Sequence, residues 1–302
     1  MKFLLFSDFH YVPGTFLKGD IEGMKEILDA AEREKVDFII HAGDLCHGPS
    51  HVADFVSNIN DFHIPVYHCL GNHDADRTPY EDVLKYYNMP DGYYYFDDYG
   101  CRMIVCDPNY YLLDGEYVKY SMGNYYAHPD ERDWMPPEQL AWLEKTIDES
   151  PLPCILISHE SFERCDGVKN RYDVQKIINE ANKKNKNRVL MCINGHHHRD
   201  FIRVLDNVIY FDMNSSSYDW VGKPHNAFPE ELCKKHCALN KTVVFNSPLY
   251  AIVTVEGSRV KIKGMETTMF MGINRREIGY PVYDDAGREV TPAVQNADIT
   301  LR

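Results

Sequence analysis

The sequence lacks the features that define several large classes of protein. Its nine cysteines are odd in number and include no CxxC pair, which argues against a disulfide framework. No apolar run approaches the length of a membrane-spanning helix, and no secretory signal precedes the first charged residues. A Gly-rich phosphate loop of the Walker type is also missing, so ATP-driven chemistry has no support. We therefore expect a soluble protein of the reducing cytoplasm with no membrane partner.

Basic residues are few relative to acidic residues. The chain has 32 Lys and Arg against 46 Asp and Glu, which gives a net charge of −14. Since proteins bind nucleic-acid polymers largely by neutralising phosphates with Lys and Arg, this balance argues against a DNA or RNA partner. It leaves room for a small phosphorylated substrate held by a local positive centre. The sequence predicts no particular oligomeric partner.

Short apolar runs alternate with amphipathic segments over the first two thirds of the chain, which is typical of an α/β protein. The predicted strands are KFLLFS, VDFIIHA, IPVYHCL, CRMIVCD, PCILIS and RVLMCIN. Helices are predicted between them, and one of these begins after Asp20 as its N-cap. After about residue 200 the pattern changes to a run of antiparallel strands. We predict one domain over residues 1–265, with long connections at 108–136 and 215–248, followed by a C-terminal extension at 266–302.

Side chains that can bind metal follow five of the predicted strands, at the end where ligands bind to open α/β sheets. In chain order they are Asp8 and His10, Asp44, Asn72 and His73, His159, and His196, His197 and His198. Ordinary turn chemistry explains any one of these fragments, because Asp, Asn and Gly tolerate turn conformations. Five such fragments in register, with this mixture of carboxylates, an amide and imidazoles, indicate a metal site instead.

The spacing within two of the motifs supports a shared site. Residues i and i+2 of an extended chain point to the same side, so Asp8 and His10 are expected to face one ion. The same rule places His196 and His198 together and turns His197 away as a bystander. Glycines precede three of the motifs and permit sharp exits from the strands and close backbone approach; they are Gly43, Gly71 and Gly195.

A resemblance to a known family covers roughly residues 1–200. It rests on five motifs, in this order: Asp8-x-His10, Gly43-Asp44, Gly71-Asn72-His73-Asp74, His159 and Gly195-His196-x-His198. They resemble the motifs of the calcineurin-like metallophosphoesterases. The resemblance implies a two-sheet αββα sandwich, with a metal site at the C-terminal ends of strands and a catalytic domain over residues 1–265. The segment EQLAWL at 138–143 is similar to a helix of the cyclic-nucleotide-phosphodiesterase-like branch.

The resemblance further implies two metal ions that share one carboxylate. The first would be held by Asp8, His10, Asp44 and His198, and the second by Asp44, Asn72, His159 and His196. Nitrogen and oxygen ligands without thiolate suit Mn, Fe, Zn, Co or Ni, of which we expect Mn or Fe first. Since metal coordination lowers the pKa of bound water to about 7, a hydroxide between the metals is expected to attack phosphorus.

Two histidines beside these ligands are expected to take part in catalysis. His73 resembles the catalytic histidine of the family and is predicted to protonate the leaving oxygen or to stabilise phosphoryl charge. His47 lies three residues after Asp44, where some family phosphatases carry Asp and purple acid phosphatases carry a tyrosine that binds iron. It is similar to the histidine of GDLFH in the SbcD-type nuclease branch, and it either contacts the phosphate or packs locally. Asp74 is expected to orient the local backbone.

Tyrosines are concentrated in one part of the chain, with thirteen of the 21 lying between Tyr80 and Tyr126. Several fall in the connection 108–136, where they either form a lid that stacks on a flat leaving group or pack against one another.

The metal motifs, the resemblance and this connection together predict a metal-dependent hydrolase of a small phosphodiester or nucleotide-like substrate, with diesters preferred over monoesters. Two alternatives stay open: a nuclease, suggested by His47, and a non-catalytic scaffold with the same fold.

Overall fold

The computed structural model describes residues 1–284 and 287–302, and strands dominate it. The strands are β1 (Lys2–Phe6), β2 (Phe38–Ala42), β3 (Val66–Cys69), β4 (Tyr94–Asp98), β5 (Cys101–Val105), β6 (Tyr110–Leu113), β7 (Glu116–Lys119), β8 (Cys154–Ile157), β9 (Val189–Asn194), β10 (Phe201–Leu205), β11 (Val208–Asp212), β12 (Tyr218–Trp220), β13 (Thr242–Val244), β14 (Ala251–Glu256), β15 (Arg259–Gly264) and β16 (Ala297–Thr300). The helices are α1 (Ile21–Glu34), α2 (Ala53–Asn60), α3 (Tyr80–Tyr86), α4 (Pro137–Asp148), α5 (Arg171–Lys184) and α6 (Glu230–Lys235).

Two six-stranded sheets form the centre of the fold. The first has the strand order β16-β15-β14-β1-β2-β3, and the second has the order β10-β11-β9-β8-β5-β4. In the first sheet β1, β2 and β3 run parallel at one end, and in the second sheet β5, β8, β9 and β11 run parallel in the middle; the remaining neighbours pair antiparallel. Parallel strands need both faces covered, which explains why the predicted strands are continuous apolar runs rather than alternating ones.

Strand β1 shows how the layers are built. Phe3 and Leu5 point into the core between the two sheets, whereas Leu4 and Phe6 point towards the helices on the outer face of the first sheet. This alternation follows from the two-residue period of a strand. The second sheet has the same arrangement, since Leu156 of β8 packs with residues of α4 and α5. The predicted αββα sandwich is therefore confirmed.

The strands after residue 200 form two hairpins that belong to different sheets. The pair β10–β11 extends the second sheet, and the pair β14–β15 extends the first. The antiparallel pairs are as expected, with Gly257 in the turn of the second hairpin at φ 62°. Strand β16 pairs with β15, so the end of the predicted extension 266–302 joins the first sheet. Residues 285 and 286 of that extension lie outside the described residues, and the boundary at 265 stays a prediction.

The two predicted connections contain short strands that the sequence pattern does not reveal. The segment 108–136 includes the hairpin β6–β7, and 215–248 includes the pair β12–β13 and helix α6. These strands have only three or four residues, too few for a periodic signal. The predicted N-cap is confirmed, since the Asp20 side chain accepts from the Gly23 N–H at 2.7 Å. Within the described residues, no helix combines the length and apolar character needed to cross a membrane.

Candidate metal centre

The seven predicted metal ligands converge at one edge of the sandwich. They follow the C-terminal ends of β1, β2, β3, β8 and β9, and six of them are buried, with His196 half-buried. A cavity of about 540 Å³ adjoins them. The side chains brought together are those of Asp8, His10, Asp44, Asn72, His159, His196 and His198.

A first group of donor atoms surrounds Asp8. His198 Nε2 lies 3.2 Å from Asp8 Oδ1, and His10 Nε2 lies 3.8 Å from the same oxygen. The two imidazole Nε2 atoms are 3.2 Å apart. The three side chains predicted to hold the first ion together with Asp44 are thus in mutual contact.

A second group surrounds Asp44 and reaches towards the first. Asp44 Oδ2 lies 3.1 Å from His159 Nε2 and 3.9 Å from His10 Nε2, so this carboxylate borders both groups. His196 Nδ1 lies 2.9 Å from Asn72 Oδ1. This is the arrangement that a bridging carboxylate requires, and the assignment of each ligand stays a prediction.

Hydrogen bonds fix which nitrogen of each histidine faces the site. His159 Nδ1 donates to the Ala42 carbonyl at 2.7 Å, and His198 Nδ1 donates to the Tyr218 carbonyl at 2.9 Å. Both rings therefore direct an Nε2 lone pair at the carboxylates, as metal-binding histidines do.

The arrangement of the donor atoms is suited to cations bound between them. Asp8 Oδ1 and His159 Nε2 are buried without a hydrogen-bond partner in the described part of the chain. Buried polar atoms of this kind are costly unless paired or bound to a metal. His10 and His198 also point nitrogens at each other, and two lone pairs at that separation repel unless a cation lies between them. Candidate groups of metal-binding side chains include Asp8 with His10 and His198, and Asp8 with Asp44 and His159.

The electrostatics of the site favour the coordinating forms of Asp44 and His196, whereas His159 behaves differently: burial lowers its pKa, but Asp44 and Asp8 raise it well above the ordinary value. Burial by itself raises the pKa of the Asp44 carboxyl, but the nearby histidines, His159 first, hold it well below the ordinary value. Burial and the charge of His159 lower the pKa of His196 to about 4. A carboxylate and a neutral imidazole are the forms that coordinate metal.

The backbone at the ligands is not extended, so the predicted reason for their convergence is wrong. Strand β1 ends at Phe6 and β9 ends at Asn194, before the motifs begin. Five ligands lie in the left-handed region: Asp8 (φ 51°), His10 (φ 52°), Asp44 (φ 59°), His196 (φ 67°) and His198 (φ 51°). Such angles are uncommon for residues other than glycine and concentrate at functional sites. Tight turns, not strand alternation, bring each pair of side chains together.

Two glycines are required by close approach, as the sequence predicts. A β-carbon at Gly71 would collide with the Asp44 side chain, and one at Gly195 would collide with Ser7 and Asp8. The ligand-bearing turns therefore pack directly on one another.

His197 is separated from the two groups of donor atoms. Its Nδ1 lies 3.8 Å from Asp166 Oδ2, and its ring borders the cavity without joining a candidate metal group among the described residues. The bystander role stays a prediction.

Asp74 organises the backbone around Asp44, the role expected for it. Its carboxylate accepts hydrogen bonds from the N–H groups of Asp44, Leu45, Cys46 and Gly71, and from the Tyr87 hydroxyl. One buried side chain thus holds the turns after β2 and β3 together.

Asp76, which the sequence interpretation did not single out, holds both predicted catalytic histidines. Its Oδ2 atom lies 2.8 Å from His73 Nδ1 and 3.2 Å from His47 Nδ1. Tyr125 and Tyr126 donate to the same carboxylate at 2.8 and 3.0 Å. Burial lowers the pKa of His73, but Asp44 and Asp76 together raise it above the ordinary value. The sequence signal that could have identified Asp76 is its position three residues after His73, a spacing that suits a contact across a turn.

His47 is placed behind a predicted ligand. With its Nδ1 proton directed at Asp76, its Nε2 accepts from His10 Nδ1 at 3.0 Å. Its ring stacks on His73 with centroids 4.3 Å apart. Both nitrogens have protein partners in this arrangement, which favours orientation of His10, and a direct contact with phosphate stays a prediction.

The tyrosines of the connection 108–136 divide into two groups. Tyr110, Tyr111, Tyr120 and Tyr125 are buried, so most of the cluster packs on itself. Tyr126 is 55% exposed and lines the cavity, where Trp220, 44% exposed, and Arg132 are further wall residues. Packing within the protein accounts for the position of most of these rings, and the exposed ring of Tyr126 can contact a ligand in the cavity.

A sandwich of two sheets with a cluster of His, Asp and Asn at its strand ends defines a class of metal-dependent phosphoesterases. The family model described as calcineurin-like phosphoesterase matches residues 1–200 of this chain. The chain therefore belongs to the calcineurin-like phosphoesterase family. A comparison with curated proteins found no match.

Two solved structures illustrate the fold. A dimetal phosphatase from Danio rerio superposes with a TM-score of 0.61 at 14% identity, covering 89% of this chain and 98% of that one. GAP50, the anchor in the inner membrane complex of Plasmodium, superposes with a TM-score of 0.53 at 12% identity, covering 100% of this chain and 89% of that one. At such identities the likeness shows the fold alone.

Proposed function

We propose that this protein is a two-metal phosphoester hydrolase acting on a small phosphodiester or nucleotide-like substrate. The observation that supports this proposal is the convergence of seven metal-binding side chains, five of which line one cavity, with Asp44 bordering both groups. Asp8, His10, Asp44 and His198 would hold one ion, and Asp44, Asn72, His159 and His196 the other. Ions of Mn or Fe, when bound, would supply the activated water and positive charge that attack on phosphorus requires.

His73 is proposed to assist departure of the leaving group. Its Nδ1 proton is directed at Asp76, which leaves Nε2 as the nitrogen that a substrate in the cavity can meet. Its backbone N–H donates to Asp44 Oδ1 at 2.8 Å, so the ring is held at a fixed distance from the metal ligands. An imidazole with a raised pKa can donate a proton at neutral pH.

The cavity walls support a substrate with one phosphodiester charge and a flat leaving group. Arg132 is the only lysine or arginine among the described residues that line the cavity. A singly charged diester needs less cationic partnership than a doubly charged monoester. The exposed rings of Tyr126 and Trp220 offer stacking surfaces for a base or an aryl group. A cytoplasmic location stays a prediction.

The experiment is to purify the protein with Mn²⁺, measure its metal content and compare hydrolysis of bis- and mono-p-nitrophenyl phosphate. We expect two bound ions per chain and faster hydrolysis of the diester. Removal of metal by a chelator should abolish activity, and added Mn²⁺ should restore it. Absence of both metal and activity would favour the alternative of a non-catalytic scaffold.

A further inference from the structure

Glu160, the residue after His159, is a buried carboxylate without a partner. It has no exposed surface, and neither of its oxygen atoms has a hydrogen-bond partner in residues 1–284 and 287–302. Within those residues, Glu160 is the only buried carboxylate in which neither oxygen has a hydrogen-bond partner. The sequence interpretation and the motifs of the resemblance leave this residue without a role.

A buried carboxylate in this state needs an explanation. Moving an ionised carboxylate out of water is costly unless it is paired with a cation or bound to a metal. No Lys or Arg side chain forms an ion pair with Glu160 in the described part of the chain. Burial raises the pKa of Glu160 well above its ordinary value, so the ionised form requires a cation that the polypeptide itself does not supply.

The surroundings of Glu160 identify that cation. Donor atoms of His159, Glu160 and His196 all lie within 4.8 Å of one another. Transition-metal ions bind nitrogen and carboxylate oxygen at about 2.0–2.2 Å, so two ligands on opposite sides of one ion are about 4.0–4.4 Å apart. The span of the three donor atoms is therefore close to the widest that one ion can hold, and shifts of the side chains would close them on it.

We propose that Glu160 is a ligand of the second metal ion, beside His159 and His196. This inference rests on the proposed two-metal function and adds a carboxylate to the ligand set of that ion. A further carboxylate oxygen is a donor of the type that suits Mn²⁺. It also accounts for the burial of Glu160, since a bound cation compensates the loss of hydration.

The test uses Glu160→Gln, which keeps the shape of the side chain and removes its charge. Wild type and variant are titrated with Co²⁺, and the bound equivalents and visible absorption spectrum are recorded at each step. We expect wild type to bind two equivalents and the variant either to lose the second equivalent or to bind it with a changed spectrum. A second equivalent that binds the variant with the wild-type spectrum overturns the proposal, because the coordination shell is then unchanged.

Controls separate this inference from folding defects and from the proposed function. Asp212→Asn alters another buried carboxylate, one whose Oδ2 accepts no hydrogen bond from the described residues and lies 3.9 Å from Arg164; it is in none of the candidate metal groups, and the variant should bind both equivalents normally. Thermal unfolding without metal should show Glu160→Gln at least as stable as wild type, and Glu160→Met provides an apolar variant of similar size if Gln misfolds. Failure of wild type to bind two ions contradicts the proposed function itself.

Discussion

The carboxylate of Asp76 accepts a hydrogen bond from His73 Nδ1 at 2.8 Å, and the same oxygen lies 3.2 Å from His47 Nδ1. One side chain thus orients the predicted general acid and, through His47, the predicted ligand His10. Tyrosine hydroxyls fill its remaining acceptor positions. This small network links the predicted general acid to a predicted metal ligand.

Replacing Asp76 with Asn should lower kcat with little change in KM, because His73 loses the acceptor that fixes its tautomer. The loss should not exceed about 10²–10⁴-fold, the usual contribution of a general acid. Steady-state kinetics with bis-p-nitrophenyl phosphate as substrate measures the loss of kcat. In a His73→Ala background, Asp76→Asn should lower kcat less than it does in the wild type, since the part of its effect that acts through His73 is already lost. Additive losses would show that Asp76 acts independently of His73.

His73→Ala should retain both metal ions and lose turnover by about 10²–10⁴-fold. The loss should be smaller for a p-nitrophenyl leaving group than for an alkyl one, since a stabilised phenolate departs without a proton. Metal analysis and a pair of diesters with different leaving groups measure both effects. Full activity with the alkyl ester would exclude the assigned role.

Asp44→Asn should weaken binding of both ions, because Asp44 borders both groups of ligands. Asn72→Ala is the matched comparison and should weaken the binding of one ion only. The Asn72 Oδ1 atom lies 2.9 Å from His196 Nδ1, and both residues are predicted ligands of the second ion. Titration with Mn²⁺ followed by metal analysis distinguishes the two patterns. A variant of Asp44 that keeps one site at full affinity would contradict the bridging assignment.

Asp74→Ala should destabilise the fold by at least about 3 kcal/mol, because several buried donors lose their acceptor and each costs about 1–3 kcal/mol. Urea unfolding of the metal-free protein measures the change in the free energy of unfolding. Asp82→Ala, at a half-buried position in the first turn of α3 where the carboxylate pairs with Lys85, is the control and should change it by less than about 1 kcal/mol. Equal stability of the two variants would mean that Asp74 does not hold the turns.

Double-stranded DNA should not bind with measurable affinity, even at low salt, where electrostatic binding is strongest. The net charge of −14 and the single arginine at the cavity support this expectation. Fluorescence anisotropy with a labelled duplex across a salt series is the measurement. Tight binding that weakens steeply with salt would instead support the nuclease alternative.

Local patterns in the sequence predict much of the fold. The runs that became β1, β2, β3, β5, β8 and β9 are mostly apolar, because parallel strands are covered on both faces. The N-cap at Asp20 is likewise local, since its side chain contacts a backbone N–H three residues away. The family follows from five motifs in order, and the match to residues 1–200 confirms it.

The sequence by itself determined the six apolar strands, the residue types at the ends of five of them and, through the family motifs, the sandwich. Only the tertiary structure decided how those ends meet. Left-handed turns at Asp8, His10 and Asp44 depend on packing against other turns, which no local period reveals. The partnership of Asp76 with His47 joins residues 29 positions apart in the chain, and Glu160 is unpaired only because of what surrounds it. Contacts between distant segments set both, and such contacts leave no pattern along the chain.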